Sequence, residues 1–309
     1  MSKRGWVLFV AMGVIWGVPY LLIKIAVDEL TPSTLVLARC VLATLVLLPI
    51  ALSRGRLGEV MTSWKPLVAF AVIEIMVPWL LLGVAEQRIS SSLTGLLIAS
   101  VPLVGAVLAV ATRLDDRLDG RRLAGLLLGF AGVAALVGFE IGGGDLGAVA
   151  ALAVVAICYA TGPLILSRWL SHLPGIGVIT ASLAITAIAY LPVGVAQAPS
   201  SWPSADVVLS VVGLAVVCTA VAFLVFFALI AEVGPTRSTV ITYVNPAVAV
   251  LLGVTILDED FTVATALGFV LILAGSVLAT RRSPAPAVPG PRTGATVAAD
   301  TGVCTVAEP

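Results

Sequence analysis

Ten apolar runs, each close to twenty residues long, decide what this chain can fold into: 5–24, 34–53, 66–84, 92–112, 123–140, 147–169, 175–196, 206–231, 237–256 and 263–280. In hydrocarbon no water satisfies backbone N–H and C=O groups, so an apolar run of this length folds as a helix that crosses the bilayer. Composition agrees: 60% of the 309 residues are hydrophobic and 11% are charged, with a mean hydropathy of +1.15, whereas soluble domains carry roughly 25% charge. The expected fold class is therefore an all-α integral membrane protein with ten transmembrane helices. Zero net charge leaves no basic face for nucleic acid. Lys3 and Arg4 precede the first run, which has no small-residue cleavage site and reads as an uncleaved helix. Residues 282–309, rich in Pro, Ala, Gly and Thr without periodicity, read as a disordered tail.

Basic residues set the orientation. With the N-terminus cytoplasmic, fourteen of the 17 Lys and Arg residues lie in inside segments, only Lys24 and Arg88 lie outside, and Arg39 stands within a span. The expectation is a multi-pass protein with both termini cytoplasmic. Arg outnumbers Lys by 14 to 3, as in GC-rich bacterial genomes, which points to the cytoplasmic membrane of a cell.

The chain also repeats itself at an offset of 143 to 144 residues. Pro19 matches Pro163, Lys24 matches Arg168, Pro49 matches Pro192, Pro102 matches Pro246, Asp116 matches Glu259, Gly125 matches Gly268 and Gly132 matches Gly275. The units run over 5–140 and 147–281. Each holds five helices, an odd number, so the second enters the membrane from the opposite side and the halves are inverted repeats. That architecture supports alternating access around a site near the midplane.

The first run reads AMGVIWGVPYLLIK, and the second begins LAR at Arg39. The ninth and tenth read STVITYVNPAVAVLLGVTILDEDFTVATALGFVLILAGSVL, and SVPLVGAVLAVATRLDDRLDGRRLAGLLLGFAGV repeats that frame in the first half. This layout resembles the ten-helix drug/metabolite transporter superfamily and, within it, the EamA-type exporters; it departs by placing Asp116 where Glu is usual. The resemblance covers residues 5–281 and implies a transporter that moves a small metabolite, amino acid or drug outward. The cargo class stays open.

Ionisable groups at membrane depth cost about 2.5–3.5 kcal/mol each on insertion scales, which singles out Glu74, mid-span in AVIEIMVPWLL. It is open to two readings: a group that binds an exchanged proton or contacts the cargo, or a protonated acid bonded to a neighbouring helix. Arg39 can pair a substrate carboxylate, snorkel to headgroups or meet a loop acid. Lys24 and Glu140 at span ends read as interfacial anchors. Pro19, Pro78, Pro102, Pro163 and Pro246 interrupt spans, each removing a backbone donor; they are hinge candidates or static kinks. Trp16, Tyr20, Trp79, Tyr159, Thr161, Thr219, Thr242, Tyr243 and Asn245 near these prolines are able to read a cargo or to serve packing. Trp16 and Tyr20, four apart, share a helical face.

The fifth and tenth spans, glycine-bearing and poor in polar groups, read as scaffold and as a candidate homodimer face. The expected partners are a small-molecule solute, the lipid bilayer and protons. No Walker-type loop occurs, nor HExxH, nor a Ser-His pairing; neither an enzyme nor a cofactor is expected. Cys40, Cys158 and Cys218 lie in apolar runs with no metal-ligand spacing, and His172 sits alone in a loop. The competing view is a non-transporting bundle with a receptor-like or structural role, which has no need of inverted halves.

Overall fold

The computed structural model describes residues 1–53, 55, 57–112, 119–138, 145–234 and 238–280. Asp116, Glu140, Cys304 and the tail 282–309 lie outside the described residues. No strand occurs among those described. The main helices are α1 (Lys3–Ala26), α2 (Pro32–Ser53), α3 (Trp64–Glu86), α4 (Ser91–Ala111), α5 (Gly120–Leu136), α6 (Leu146–Leu170), α7 (Gly175–Ala196), α8 (Ala205–Val233), α9 (Val240–Ile256) and α10 (Val263–Thr280). Eight of them are long and apolar enough to cross a membrane; α9 is shorter and α5 has 17 residues. Leu57–Thr62 forms a short connecting helix.

Side-chain caps set several helix starts, since the first N–H groups of a helix have no partner within it. Ser2 accepts from the Gly5 N–H at 2.9 Å, Ser90 from Leu93 at 3.2 Å and Asp119 from Arg122 at 2.8 Å. The helix breaks fall at prolines. α1 is interrupted between Gly17 and Pro19. Pro102 and Pro246 each restart a helix in its first turn, in α4 and α9. Pro163 sits within α6 before a widened turn at Leu166–Leu170, and Pro78 follows another at Ala71–Met76. α8 carries a widened stretch over Gly213–Val221 with no proline in it.

The helices pair across the two halves in a scheme that returns on itself when every number is shifted by five: α5 with α10, α2 with α7, α4 with α9, and α1 with α8 as α6 with α3. α5 and α10 meet backbone to backbone. A Cβ on Gly125 would stand 2.5 Å from the Ala279 nitrogen, and one on Gly132 2.9 Å from that of Ile272. The repeat-related glycines thus serve this internal contact, while Leu127, Phe130, Leu267 and Val270 of the same helices stay exposed.

Hydrogen bonds between residues far apart in sequence define two ends. At one, Glu29 accepts from the Ser204 N–H (2.9 Å), Ser33 donates to Gln197 (3.0 Å) and Lys24 reaches the end of α3. At the other, Ser2 donates to Glu232 (2.5 Å) and Gly177 packs on Val60.

Candidate functional site

Between these ends, three helices converge on Arg39. Its guanidinium is buried in α2, lies 3.6 Å over the Trp79 ring of α3, and donates from Nε to the Thr219 hydroxyl of α8 at 3.0 Å. Thr219 donates in turn to the Leu214 carbonyl, 2.7 Å away and five residues back, which the widened turn of α8 puts in reach. The partners are intramolecular and far apart in sequence. Arg39 is therefore turned into the bundle, and meets no loop acid among the described residues.

Glu74 sits in the widened turn of α3. Proline at 78 has no N–H to offer the Glu74 carbonyl four residues back, and backbone of this kind suits a cavity wall rather than lipid. The Glu74 Oε2 atom is buried, has no hydrogen-bond partner among the described residues and presses on Gly162 of α6, where a Cβ would overlap it. Glycine is what lets the carboxyl fit between α3 and α6, that is, between the two halves. Tyr159, one turn earlier on α6, stands within electrostatic reach of Glu74, Tyr20 and Arg39, and its hydroxyl is near the Trp79 indole. Glu74, Tyr159, Tyr20, Trp79, Arg39 and Thr219 form one polar cluster between the two halves.

Other expected readers lie elsewhere. The break in α1 separates Trp16 from Tyr20: the Trp16 ring packs on Phe223 and Phe226 of α8, 6.0 and 4.8 Å between centroids, whereas Tyr20 lies against Gly95 of α4. The Tyr243 hydroxyl pairs with that of Thr280 at 3.0 Å on an exposed edge. Asn245, with its amide nitrogen facing α1, donates to the carbonyls of Gly13 (3.1 Å) and Ile241 (2.9 Å) and so ties α1 to α9. Thr161 donates to Ile157 of its own helix at 2.7 Å. Cys40 and Cys218 are buried and His172 is exposed.

Several residues escape a reading by hydropathy. α3 continues past residue 84 to Glu86, which is fully buried. Lys24 is a cap rather than a surface anchor: its Nζ donates to the carbonyls of Glu86 (2.6 Å) and Ile89 (3.0 Å). Glu259 crosses from the second half to accept from the Ser91 and Ser92 N–H groups of α4, at 2.7 and 2.9 Å, where the helix dipole favours an anion. The Tyr190 hydroxyl donates to the Met76 carbonyl at 3.0 Å, behind the Glu74 turn. A groove of about 400 Å³ between α2 and α8 is lined by Thr34, Ala38 and Trp202, and a smaller one of about 260 Å³ at the opposite end by Pro174 and Phe227. Neither is lined by Arg39 or Glu74.

A model of the EamA-like transporter family matches the chain twice, over residues 3–138 and 146–281. The inner membrane transporter YedA of Escherichia coli K12 is 29% identical over 87% of this chain and 88% of its own length. The transporter YvbV of Bacillus subtilis 168 is 24% identical over 88% of this chain and 90% of its own. A solved crystal structure, 21% identical, superposes with a TM-score of 0.63 over 91% of this chain and 97% of that one, and so shares the fold. With apolar spans and a doubled family match together, this is a multi-pass cell-membrane protein, and the chain belongs to the EamA-like transporter family.

Proposed function

We propose that the chain is a secondary transporter with ten crossings in two inverted halves, which exports a small solute in exchange for protons by alternating access, both termini being cytoplasmic. The observation that carries this reading is the Glu74 carboxyl: an acid at membrane depth, with an unpartnered oxygen, wedged where the two halves meet. A group so placed gains a partner only when a proton, a cargo group or water arrives. Inversion is supported by the starts of the halves. Gly5 lies beside Val233 at the Glu232 end, whereas Gly147 lies beside Arg88 at the Lys24 end. Arg39 supplies the fixed positive charge of the site and Trp79 its aromatic floor. The breaks at Pro19, Pro102 and Pro246 and the widened turns around Glu74 and Thr219 supply bendable points.

The test uses purified protein in liposomes loaded with a pH-sensitive dye, challenged with amino acids, small organic acids and lipophilic cations. Movement of protons on addition of one class supports exchange. Solute uptake with no proton movement supports transport down the solute's own gradient. No movement of either across the panel supports the receptor-like or structural bundle instead.

A further inference from the structure

Glu86, at the last turn of α3 and the Lys24 end of the bundle, is fully buried, and both of its carboxylate oxygens lack a hydrogen-bond partner among the described residues. An ionised carboxylate in such a place is costly, so this arrangement suits the protonated acid. The charges that face it oppose one another: Lys24 of α1 attracts its anion, and Glu259 of the α9–α10 turn repels it. Tyr20, one turn before Lys24 on the same helix, faces it with a phenol. Arg88 turns away toward Gly147 of α6, α2 meets this part of α3 through Pro32 at Gly83, and α4 brings the buried hydroxyls of Ser91 and Ser92.

Both charged neighbours are committed. Lys24 holds the carbonyls of Glu86 and Ile89. Glu259 clamps the α4 N-terminus through two N–H groups, a bond between the second half and the first. Asp258 takes a left-handed conformation, φ 53°, and the Glu259 N–H returns to the Gly253 carbonyl at 3.1 Å. That turn aims the Glu259 side chain at α4.

We propose, resting on the alternating-access reading, that Glu86 is a proton-binding site that governs this end of the bundle. With its proton on, the Glu259 clamp stays shut. When the proton leaves to the adjoining water, the new carboxylate draws Lys24 off the α3 carbonyls and repels Glu259, and the α9–α10 turn parts from α4. Glu86 is thus a second proton station, distinct from Glu74 at the midplane, and acts on a gate.

The experiment places spin labels at Asp28→Cys and Asp260→Cys, exposed positions on the two halves, in a cysteine-free background of the full chain in lipid nanodiscs. The distance between them is followed from roughly pH 4 to pH 9, spanning the titration of a perturbed carboxyl. The expected result is one short distance at low pH that gives way to a longer one as pH rises. Glu86→Gln stays short throughout, and Glu259→Gln shows the longer distance at every pH. Opening of Glu86→Gln with the wild-type pH profile, or a wild-type distance indifferent to pH, overturns the proposal. Lys24→Gln adds an arm that leaves Glu86 in place: with its cation gone, opening requires a proton concentration lower by about tenfold or more, and an unmoved midpoint overturns the proposal. Flux measured on the same variants separates the two readings. A distance that follows pH through Glu86 without solute flux removes transport and keeps the site; flux with a distance indifferent to Glu86 does the reverse.

Discussion

The two halves share a frame but not a chemistry. At the common offset the widened turn Ala71–Met76 falls on Gly213–Val221, the break at Pro102 on that at Pro246, and Gly125 on Gly268. Three ionisable groups of the first half have no such counterparts. Arg39 corresponds to Ser182, Glu74 to the Val217–Cys218 step and Glu86 to the Leu229–Ile230 step. Duplicated backbone features are what a protein needs in order to pass between two related conformations. Ionisable groups are expensive in a membrane, and one set suffices for a site that both halves enclose. The comparison teaches that the backbone breaks belong to both halves, while the ionisable groups Arg39, Glu74 and Glu86 belong to the first alone.

The largest effect that can break this comparison is at Arg39. A hydrogen bond to a charged group is worth about 1.5–3 kcal/mol, so Arg39→Ala is expected to lower solute flux in proteoliposomes by about tenfold or more. Arg39→Lys rescues little, because the stacking on Trp79 needs a planar cation. Ser182→Ala, at the equivalent place in α7, leaves flux near wild type; an equal loss there would mean that the halves share the chemistry after all.

The α5–α10 seam tests the shared frame. Gly125→Ala and Gly275→Ala each drive a methyl group into the facing backbone, and both are expected to cost about 1–3 kcal/mol, read as a lower melting temperature in detergent. Gly120→Ala, with open space around its Cβ, serves as the control. Unequal costs at the first two would show that the halves do not depend on the seam alike.

A smaller effect is expected at the α4 cap. Glu259→Gln loses the anion at the helix N-terminus, about 1 kcal/mol, measured by melting at neutral pH.

The smallest concerns Glu29, in the α1–α2 turn. Its hydrogen bonds to Ser204 hold the carboxyl below the ordinary carboxylate range. A carboxyl with a depressed folded value contributes stability that is present above its unfolded value and is lost as pH falls through the folded one. Glu29→Gln therefore lowers the melting temperature slightly at neutral pH and not at all in acid below that range. A difference that persists at low pH contradicts the assignment.

Much of this was legible before any coordinates. Apolar run length announced the helices, and the offset between paired prolines and glycines announced the duplicated frame, because both signals are local or periodic. Glu74 stood out as an acid in an apolar run. The partners of Arg39 did not, since Trp79 and Thr219 lie on other helices and only tertiary packing selects them. Glu86 was hidden because Gln87 and Arg88 directly after it make the segment look like a loop, although the helix runs two residues past the expected end at 84. The widened turns have no periodic signature: α8 forms one without a proline. Tyr243 and Asn245 stood out by residue type alone, and their partners, Thr280 and the carbonyls of Gly13 and Ile241, are set by packing that the sequence does not display.

The most direct test of the central claim follows proton entry into liposomes under an imposed pH gradient, triggered by whichever panel solute moves protons in wild type, and compares Glu74→Gln. The expected result is that solute-triggered proton entry disappears while solute exchange without a gradient persists. Proton-driven flux unchanged in Glu74→Gln would contradict the role of Glu74 and, with it, the assignment of the exchange chemistry to the first half.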